Sequence, residues 1–266
     1  MPSATTIVIP CYNESARLPK ERVLALVDAG LHVLLVDDGS TDGTALLLRL
    51  LCQSRPGRVT VLEQPDNRGK GEAVRSGFLA ALKSGSRVVG YLDADFATPV
   101  EEMTRILREL MSGSAQAALG SRIAVLGAQI ERRAIRHYLG RIFATFASLV
   151  LHVPVYDTQC GAKAFRASPA LAAALAEPFH ARWAFDVELI GRLLAAGLTA
   201  DDIIEVPLRR WVDVAGSRLR PVHFPLLGWE LLRIHLALGR LRWNVEPARV
   251  LEAPAPAIVD IREDVG

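Results

Sequence analysis

The fold is decided by the stretch VVGYLDAD, residues 88–95, in which five apolar or small residues lead into two aspartates one residue apart. An apolar run without polar alternation is typical of a strand buried on both faces, as in parallel sheets. Because side chains two residues apart in extended backbone point the same way, we expect the carboxylates of Asp93 and Asp95 to converge at the strand's end. Two converging carboxylates form a hard oxygen site that suits Mg²⁺ or Mn²⁺. The alternative is a solvated turn, in which Asp is common.

Working outward from this stretch, the first 120 or so residues alternate strand-like and helical patterns. Short β-branched runs precede it at 6–9, 33–36 and 59–62, and helical patterns cover 21–29, 41–51, 71–84 and 99–111. Thr98 and Glu101 predict a capping box at the start of the last helix. The alternation predicts an α/β fold with an open, mostly parallel twisted sheet flanked by helices. Such sheets bind ligands beyond the carboxyl ends of their strands.

Composition excludes several classes of protein. The chain has 266 residues, a net charge of +2, 50% hydrophobic and 23% charged residues, which is typical of a globular protein. The near-neutral charge argues against a nucleic-acid partner. Three distant cysteines favour a reducing compartment, and a strand-like run near residue 5 leaves no room for a secretory signal. The longest apolar run, 142–151, is shorter than the ~20 residues a spanning helix needs. We therefore expect a cytoplasmic protein.

Two further loops follow predicted strands. Residues 37–43 (DDGSTDG) offer a carboxylate that could accept hydrogen bonds from a base or ribose. Helix capping is the alternative, and it explains Thr41 and Asp42 but not the adjacent Asp37 and Asp38. Residues 67–71 (NRGKG) open a helix, where glycine backbone can approach an anion and Lys70 adds a positive charge. Neither loop has the pattern of a P-loop or of a dinucleotide-binding fingerprint.

The pattern after residue 122 is less regular. It predicts a basic helix over 132–151, a turn and short strand over 157–166, a helix over 185–196, a strand or hairpin over 203–214 and a helix over 226–241. The last helix carries an apolar stripe of Leu227, Leu231, Ile234, Leu238 and Leu241. Residues 244–266 are rich in Ala and Pro, which favours a flexible tail.

Several motifs together resemble family 2 glycosyltransferases, which have the GT-A fold. They are 7–14 (IVIPCYNE), 36–44, 67–78, 93–99 and 120–122. The stretches 157–165 (DTQCGAKAF), 183–188 (WAFDVE) and 212–218 (VDVAGSR) resemble the dolichyl-phosphate β-glucosyltransferase branch, which is close to dolichol-phosphate mannose synthases. The resemblance implies a nucleotide-sugar-binding half over 1–122 and a smaller acceptor-binding half over 123–243 with a C-terminal amphipathic helix.

The resemblance also implies roles for individual residues. Asp93 and Asp95 would hold the metal and the sugar diphosphate, with Lys70 and Gly71 near the donor. The nucleoside would be held by Pro10, Tyr12, Glu14 and Asp38, and the phosphates of donor or acceptor would be surrounded by Arg122, Ser217 and Arg218. Arg218 stands where the family often has Lys, and Cys11 stands where a smaller residue is commoner. Lys and Arg are not equivalent at a phosphate, so the acceptor geometry can differ.

The implied reaction is an inverting transfer of a hexose, from UDP-glucose by preference and GDP-mannose next, to a polyprenyl or dolichyl phosphate. Mg²⁺ or Mn²⁺ would assist departure of the nucleotide diphosphate. A phosphate acceptor is largely dianionic at neutral pH and needs no base. A soluble or headgroup hydroxyl acceptor would need one, for which we favour Asp157 over Asp186 and Glu188. The last two equally fit a helix N-terminus. An inactive nucleotide-sugar-binding scaffold is the alternative from another class.

Basic residues beside apolar helices predict peripheral attachment to the cytoplasmic face of an anionic membrane. The predicted basic groups are Arg132, Arg133, Arg136 and Arg141 next to the run 142–151, and Arg233, Arg240 and Arg242 in the last helix with Trp229 and Trp243. The alternative is that the leucine stripe of the last helix packs on the sheet as ordinary core.

Overall fold

The computed structural model describes residues 4–131, 134–214 and 224–240, with the side chains of 131, 134–137, 224–225 and 240 left out. Ser217, Arg218 and the predicted tail 244–266 therefore lie outside the described residues. So do the side chains of Arg132, Arg133, Arg136, Arg240 and Arg242 and the end of the leucine stripe at Leu241. Within the described ranges, no helix is both long and apolar enough to cross a bilayer.

The centre of the fold is a seven-stranded sheet with strand order β3-β2-β1-β4-β7-β5-β8 among the described residues. Strand β7 is antiparallel to its neighbours β4 and β5, and the other pairs are parallel. The sheet strands are β1 (Thr5–Cys11), β2 (His32–Asp37), β3 (Val59–Glu63), β4 (Val88–Leu92), β5 (Ala117–Ser121), β7 (Ala162–Arg166) and β8 (Ile203–Pro207). The predicted mostly parallel sheet is confirmed. Because β7 comes from the second half of the chain, both predicted halves share this sheet.

Helices cover both faces of the sheet. They are α1 (Lys20–Asp28), α2 (Thr44–Ser54), α3 (Lys70–Lys83), α4 (Val100–Ser112), α5 (Ala134–Leu151), α6 (Pro169–Ala174), α7 (Phe185–Ala195) and α8 (Phe224–Arg240). One buried cluster joins α1, α2 and α4 to one face, and a second joins α3, α5, α6, α7 and α8 to the other. This two-layered core holds the carboxyl ends of β1 to β4 at one edge.

The predicted capping box at helix α4 is wrong. The helix begins at Val100, and Pro99 takes the capping position without a side-chain hydrogen bond. The Thr98 side chain is buried instead, with its Oγ1 4.0 Å from Cys160 Sγ. Burial of this hydroxyl beside the 157–161 turn outweighed the local capping preference.

The prediction of a strand or hairpin over 203–214 was right about strands but wrong about a hairpin. Strand β8 joins the main sheet beside β5, whereas β9 (Arg210–Val212) pairs in parallel with β6 (Gln129–Glu131) in a separate two-stranded sheet. Strands β8 and β9 follow each other along the chain but enter different sheets, because each pairs with a strand that is distant in sequence. Sequence spacing alone does not reveal such partners.

The leucine stripe of the last helix packs as core. Leu227, Leu231, Ile234 and Leu238 of α8 are buried in the cluster that includes α5 and α7. The stripe is therefore core, as the alternative predicted, although α8 packs mainly against helices α5 and α7 rather than on the sheet. Any membrane contact has to use a different face of α8.

Candidate active site

The turn after strand β4 carries Asp93 and Asp95 at the edge of the sheet. The Asp93 N–H donates to the Gly161 carbonyl at 2.9 Å, and the Asp93 carbonyl accepts from the Phe96 N–H at 3.0 Å. Phe96 has a φ of 51°, in the left-handed region that a bulky residue rarely adopts. Backbone strain of this kind persists where the surrounding structure imposes it and is concentrated at functional sites.

Lys70, the first residue of α3, forms an ion pair with Asp93. Its Nζ lies 2.6 Å from Asp93 Oδ1, with the two side chains 38% and 32% exposed. The ammonium also lies 5.4 Å from the ring centroid of Tyr91 and 5.6 Å from that of Phe185. Burial lowers the pKa of Lys70, but the charges of Asp93 and Asp186 raise it more, and the net shift is upward. Lys70 is thus a fixed cation beside the first aspartate.

The charge of Asp93 acts on Asp95, two residues further along the turn. Burial raises the pKa of Asp95, and the negative charge of Asp93 raises it further. Its Oδ1 accepts from the Ala97 N–H at 3.0 Å. The two carboxylates therefore repel each other, which a cation between them would relieve.

The donor set fits the kind of magnesium site in which substrate phosphates supply further ligands. Within the part of the chain that the structure describes, no cluster of three or more His, Cys, Asp or Glu side chains could enclose a metal. Mg²⁺ and Mn²⁺ are commonly bound by one or two carboxylates together with substrate phosphates. Asp93 and Asp95 match that smaller donor set.

Asp38 holds the loop that precedes Lys70. Its carboxylate accepts from the Arg68 N–H at 2.8 Å and from the Gly69 N–H at 2.9 Å. Burial raises the pKa of Asp38, and the hydrogen bonds from these two amides counteract part of that effect. The sequence predicted a base or ribose partner for Asp38, and the structure adds a role in positioning the loop.

Pro10, Tyr12 and Glu14 lie at and beyond the end of β1. The Glu14 carboxylate is bound by Arg17, at 2.7 Å from Nη2, and the Glu14 N–H donates to Thr44 Oγ1 at 2.8 Å. Pro10 is aligned with Val36 of β2, and Pro10 and Tyr12 are both partly exposed. The structure thus brings these three residues to the same sheet edge as Asp38.

Two glycines allow close approaches at the site. A Cβ on Gly71 would lie 2.7 Å from the Phe185 Cβ, and a Cβ on Gly161 would lie 2.2 Å from Asp93 Oδ2. Real Cβ atoms do not come so close, so a side chain at either position would displace Phe185 or the Asp93 carboxylate. The Cys160–Gly161 turn therefore sets where the Asp93 carboxylate lies.

Asp157 is bound to Arg122. Its carboxylate accepts from Arg122 Nε at 2.6 Å, Nη2 at 2.7 Å and the backbone N–H at 3.0 Å. Burial raises the pKa of Asp157, but the Arg122 charge and hydrogen bonds outweigh it and lower the pKa to about 2. Such a carboxylate accepts a proton poorly at neutral pH, which argues against the predicted base role of Asp157. The Arg122 guanidinium also stacks 5.4 Å from the Trp211 ring.

The two other candidate bases are buried inside the fold. The Asp186 carboxylate lies 2.9 Å from the Nζ of Lys163, whose side chain is 0% exposed, and also accepts from the Tyr91 hydroxyl. The Glu188 carboxylate accepts from the backbone N–H groups of residues 180 and 181 and pairs with Arg192 at 2.6 Å. Both acids lie in the first turn of α7, as the helix-terminus alternative predicted.

Sequence reasoning assigned no role to several residues that build this site. Gly161 and Lys163 were recognised only as parts of a motif. Glu205 accepts from the N–H groups of residues 156 and 157 at 2.7 and 2.8 Å, which positions Asp157. Arg182 and Glu230, whose contacts are described below, had no local signal because their partners are distant in sequence.

The chain matches the Glycosyl transferase family 2 model over residues 6–171. It is 30% identical to the polyprenol monophosphomannose synthase of Mycolicibacterium smegmatis, over 90% of this chain and 91% of the relative. It is also 32% identical to the human dolichyl-phosphate beta-glucosyltransferase, over 92% of this chain and 78% of that protein. The chain therefore belongs to glycosyl transferase family 2 and is a glycosyltransferase.

Solved structures agree with the fold. Staphylococcus aureus TarS 1-349 in complex with UDP superposes with a TM-score of 0.56 at 17% identity, covering 91% of this chain and 67% of TarS. The mannosyltransferase PcManGT from Pyrobaculum calidifontis, in complex with GDP-Man and Mn²⁺, gives 0.50 at 18% identity, covering 88% and 73%. The expected GT-A fold is confirmed.

Proposed function

We propose that this enzyme transfers a hexose, with inversion, from a nucleotide sugar to the phosphate of a polyprenyl or dolichyl phosphate. The names of the relatives support this acceptor class, since one is a polyprenol monophosphomannose synthase and another a dolichyl-phosphate beta-glucosyltransferase. The alternative acceptor is a hydroxyl on a soluble molecule or a lipid headgroup. The two acceptors differ in their need for a base.

The observation that carries the proposal is the state of the three candidate bases. Asp157 is held by Arg122 at a pKa of about 2, Asp186 is held by Lys163, and Glu188 is held by Arg192 and two backbone N–H groups. A general base needs a pKa near the working pH and access to the acceptor. A phosphate acceptor, whose second pKa is ~6, attacks without one. The bound acids therefore favour the phosphate over the hydroxyl.

On the donor side, Asp93 and Asp95 would hold Mg²⁺ or Mn²⁺ against the sugar diphosphate. The cation would supply Lewis-acid stabilisation of the departing nucleotide diphosphate. Lys70 adds a positive charge that is already fixed beside Asp93. Asp38 orders the loop in front of Lys70, so the donor would meet a site that needs little rearrangement.

The proposed donor is UDP-glucose, with GDP-mannose as the second choice. The curated relatives include enzymes named for glucose and for mannose transfer. Pro10, Tyr12, Glu14 and Asp38 would contact the nucleoside. The phosphates of donor or acceptor would be met by Arg122, with Ser217 and Arg218 proposed for the same role.

We propose peripheral attachment through the outer faces of α5 and α8, which would bring the enzyme to a lipid acceptor. These two helices pack together, and each exposes a row of apolar side chains: Ile142, Phe146 and Leu149 on α5, and Leu226, Trp229, Leu232 and Leu236 on α8. An amphipathic face with Trp and Leu is typical of helices that lie in a membrane interface. The guanidinium of Arg141, one of the predicted basic groups, donates to the Tyr156 carbonyl at 2.7 Å and stacks on that ring. We propose that the enzyme attaches to the cytoplasmic face of the membrane.

The test is a panel of radiolabelled UDP-glucose and GDP-mannose incubated with a short polyprenyl phosphate and Mg²⁺ or Mn²⁺. We expect label in the organic extract for one donor, and about 10²–10³-fold less with the Asp95→Asn variant. If neither donor labels the lipid but a soluble or headgroup hydroxyl acceptor is labelled, the proposed acceptor is wrong. If wild-type protein neither hydrolyses nor transfers any donor, the inactive-scaffold alternative is favoured.

A further inference from the structure

The segment 182–185 lies against the loop 67–71 on both sides of Lys70. On one side, Arg182 Nη2 donates to Asn67 Oδ1 at 3.1 Å, and Arg182 Nε would lie 3.2 Å from a Cβ on Gly69. On the other side, Phe185 packs so closely on Gly71 that no Cβ fits between them. Lys70, which pairs with Asp93, is therefore flanked on both sides by residues that contact the segment 182–185.

Asp38 holds the same loop through its backbone. Its carboxylate accepts from the N–H groups of Arg68 and Gly69. Burial raises the pKa of Asp38, and the positive charge of Arg182 offsets part of that rise, as the two hydrogen bonds do. Gly69 has a φ of 94°, a conformation that only glycine adopts without strain. The loop is thus bound by an anion, Asp38, which directly follows β2, and by a cation, Arg182, from the second half of the chain.

A buried carboxylate of α8 in turn holds the segment that carries Arg182. Glu230 is 6% exposed, and its carboxylate accepts from the N–H groups of Arg182, Trp183 and Ala184 at 3.1, 3.1 and 2.8 Å. These amides precede the first turn of α7, where a negative charge is favoured by the helix dipole. Hydrogen bonds to an ionised acceptor are the stronger ones, so Glu230 fixes the backbone of the segment.

We propose that Arg182 is a positioning residue for the donor loop and that Glu230, on α8, holds Arg182 in place. The chain of contacts runs from Glu230 to the backbone of 182–184, from Arg182 to Asn67 and Gly69, and from there to Lys70. Its consequence for the reaction rests on the proposed nucleotide-sugar donor. Ordering this loop before the donor arrives lowers the entropic cost of binding, so the positioning acts on donor affinity more than on turnover.

The first experiment needs no substrate: hydrogen–deuterium exchange of the loop 66–71 in the isolated protein. Glu230→Gln keeps the size of the side chain and removes the charge, and Arg182→Met keeps the length and removes the guanidinium. We expect each variant to speed exchange at the Arg68 and Gly69 amides by about tenfold. This is the factor expected when the free energy of about one charge-assisted hydrogen bond is lost. Arg49→Met, which removes an exposed ion pair with Glu63, is the matched control and should leave the loop unchanged.

The second experiment is a double-variant cycle on donor KM. Each single variant should raise KM by about tenfold with kcat within about threefold, and the double variant should be no worse than either single one. Arg182→Lys should recover part of the loss. Unchanged loop exchange in variants that unfold like wild type would overturn the inference, as would additive KM effects. Because exchange is measured without substrate, failure of the proposed reaction would be recognised separately, as wild-type protein that transfers no sugar.

Discussion

Two pairs of acidic side chains, one from each half of the chain, differ in how far the protein compensates their charge. At the end of β4, Asp93 and Asp95 repel each other, and the pKa of Asp95 is raised by burial and by its neighbour. In the second half, Asp157 and Asp186 are each paired with a buried or nearly buried cation. At the proposed donor side one ammonium, that of Lys70, faces two carboxylates, so the pair keeps a net negative charge, whereas each acid of the proposed acceptor side has a cation of its own. Acids such as Asp93 and Asp95 are suited to binding a cationic ligand, whereas acids such as Asp157 and Asp186 are suited to stabilising the fold.

This contrast explains why a motif with a carboxylate is not enough to assign a base. Asp157 lies in a motif that resembles those of lipid-phosphate glycosyltransferases and is close to Arg122, a predicted phosphate contact. Four hydrogen bonds, from Arg122 and the Gln159 N–H, occupy its oxygens. Which partner a carboxylate has therefore decides its chemistry more than where it stands in the sequence.

The strongest test of the contrast is Asp95→Asn. We expect transfer to fall about 10²–10³-fold, because the variant loses a proposed ligand of the cation that would stabilise the charge of the leaving diphosphate. The variant should be no less stable than wild type, because the substitution relieves repulsion from Asp93. Initial rates at saturating metal and thermal unfolding measure both effects. A stable variant with wild-type rates would remove Asp95 from the site.

Asp157→Asn, unlike Asp95→Asn, should lower the stability of the fold. Breaking a buried ion pair leaves the Arg122 charge without a partner, and the free energy of unfolding should fall by about 3 kcal/mol in urea titrations. Asp201→Asn, at an exposed position, is the matched control and should change it by less than about 0.5 kcal/mol. A variant as stable as wild type would mean that the pair contributes nothing to folding.

The pH dependence of stability should come from the same carboxylate. Its folded pKa is about 2 and thus below its unfolded value of about 3.9, so its contribution is complete above about pH 4 and is lost as pH falls towards 2. The difference in unfolding free energy between wild type and Asp157→Asn should shrink over that window. A difference that stays constant from pH 5 to pH 2.5 would contradict the lowered pKa.

Gly161→Ala tests the placement of the Asp93 carboxylate. The added methyl group would meet Asp93 Oδ2, and we expect the metal concentration for half-maximal rate to rise by about tenfold as the carboxylate moves. Gly228→Ala on α8, where an added Cβ has open space, should change neither metal dependence nor rate. Equal metal dependence in both variants would mean that Gly161 does not set the geometry.

The smallest effect is expected on the outer face of α8. Trp229→Ser removes one exposed aromatic ring, and co-sedimentation with anionic vesicles should weaken by about three- to tenfold. Leu46→Ser, at an exposed position on α2, is the control and should bind vesicles like wild type. Binding that is unchanged by Trp229→Ser, or no binding of wild type at low or high salt, would dismiss this face as the membrane contact.

The regular part of the fold could be predicted because its signals are local. The strands β1 to β4 are apolar runs, and helices α1 to α4 follow them with ordinary periodicity. The placement of β7 between β4 and β5 has no local signature, and β6 pairs with β9 across about 80 residues. Thr98 shows the same limit at a single residue, because burial of its side chain beside Cys160 overrode a capping pattern.

The site follows the same division. Asp93, Asp95 and Lys70 stand in short motifs at strand or helix ends, so their proximity could be expected from the topology of a parallel sheet. Arg182 and Glu230 could not be found in this way, because their partners lie 115 and up to 48 residues away. The state of Asp157 was also hidden, since a sequence shows a carboxylate without showing the guanidinium bound to it.

The most direct measurement compares two acceptors that differ only in the phosphate: a short polyprenyl phosphate and the corresponding polyprenol. Wild-type enzyme would be incubated with each, with the radiolabelled donor and Mg²⁺ or Mn²⁺, and label would be counted in the organic phase. If this chain uses an acceptor that needs no base, only the polyprenyl phosphate will be labelled. Labelling of the polyprenol at a comparable rate would contradict the account.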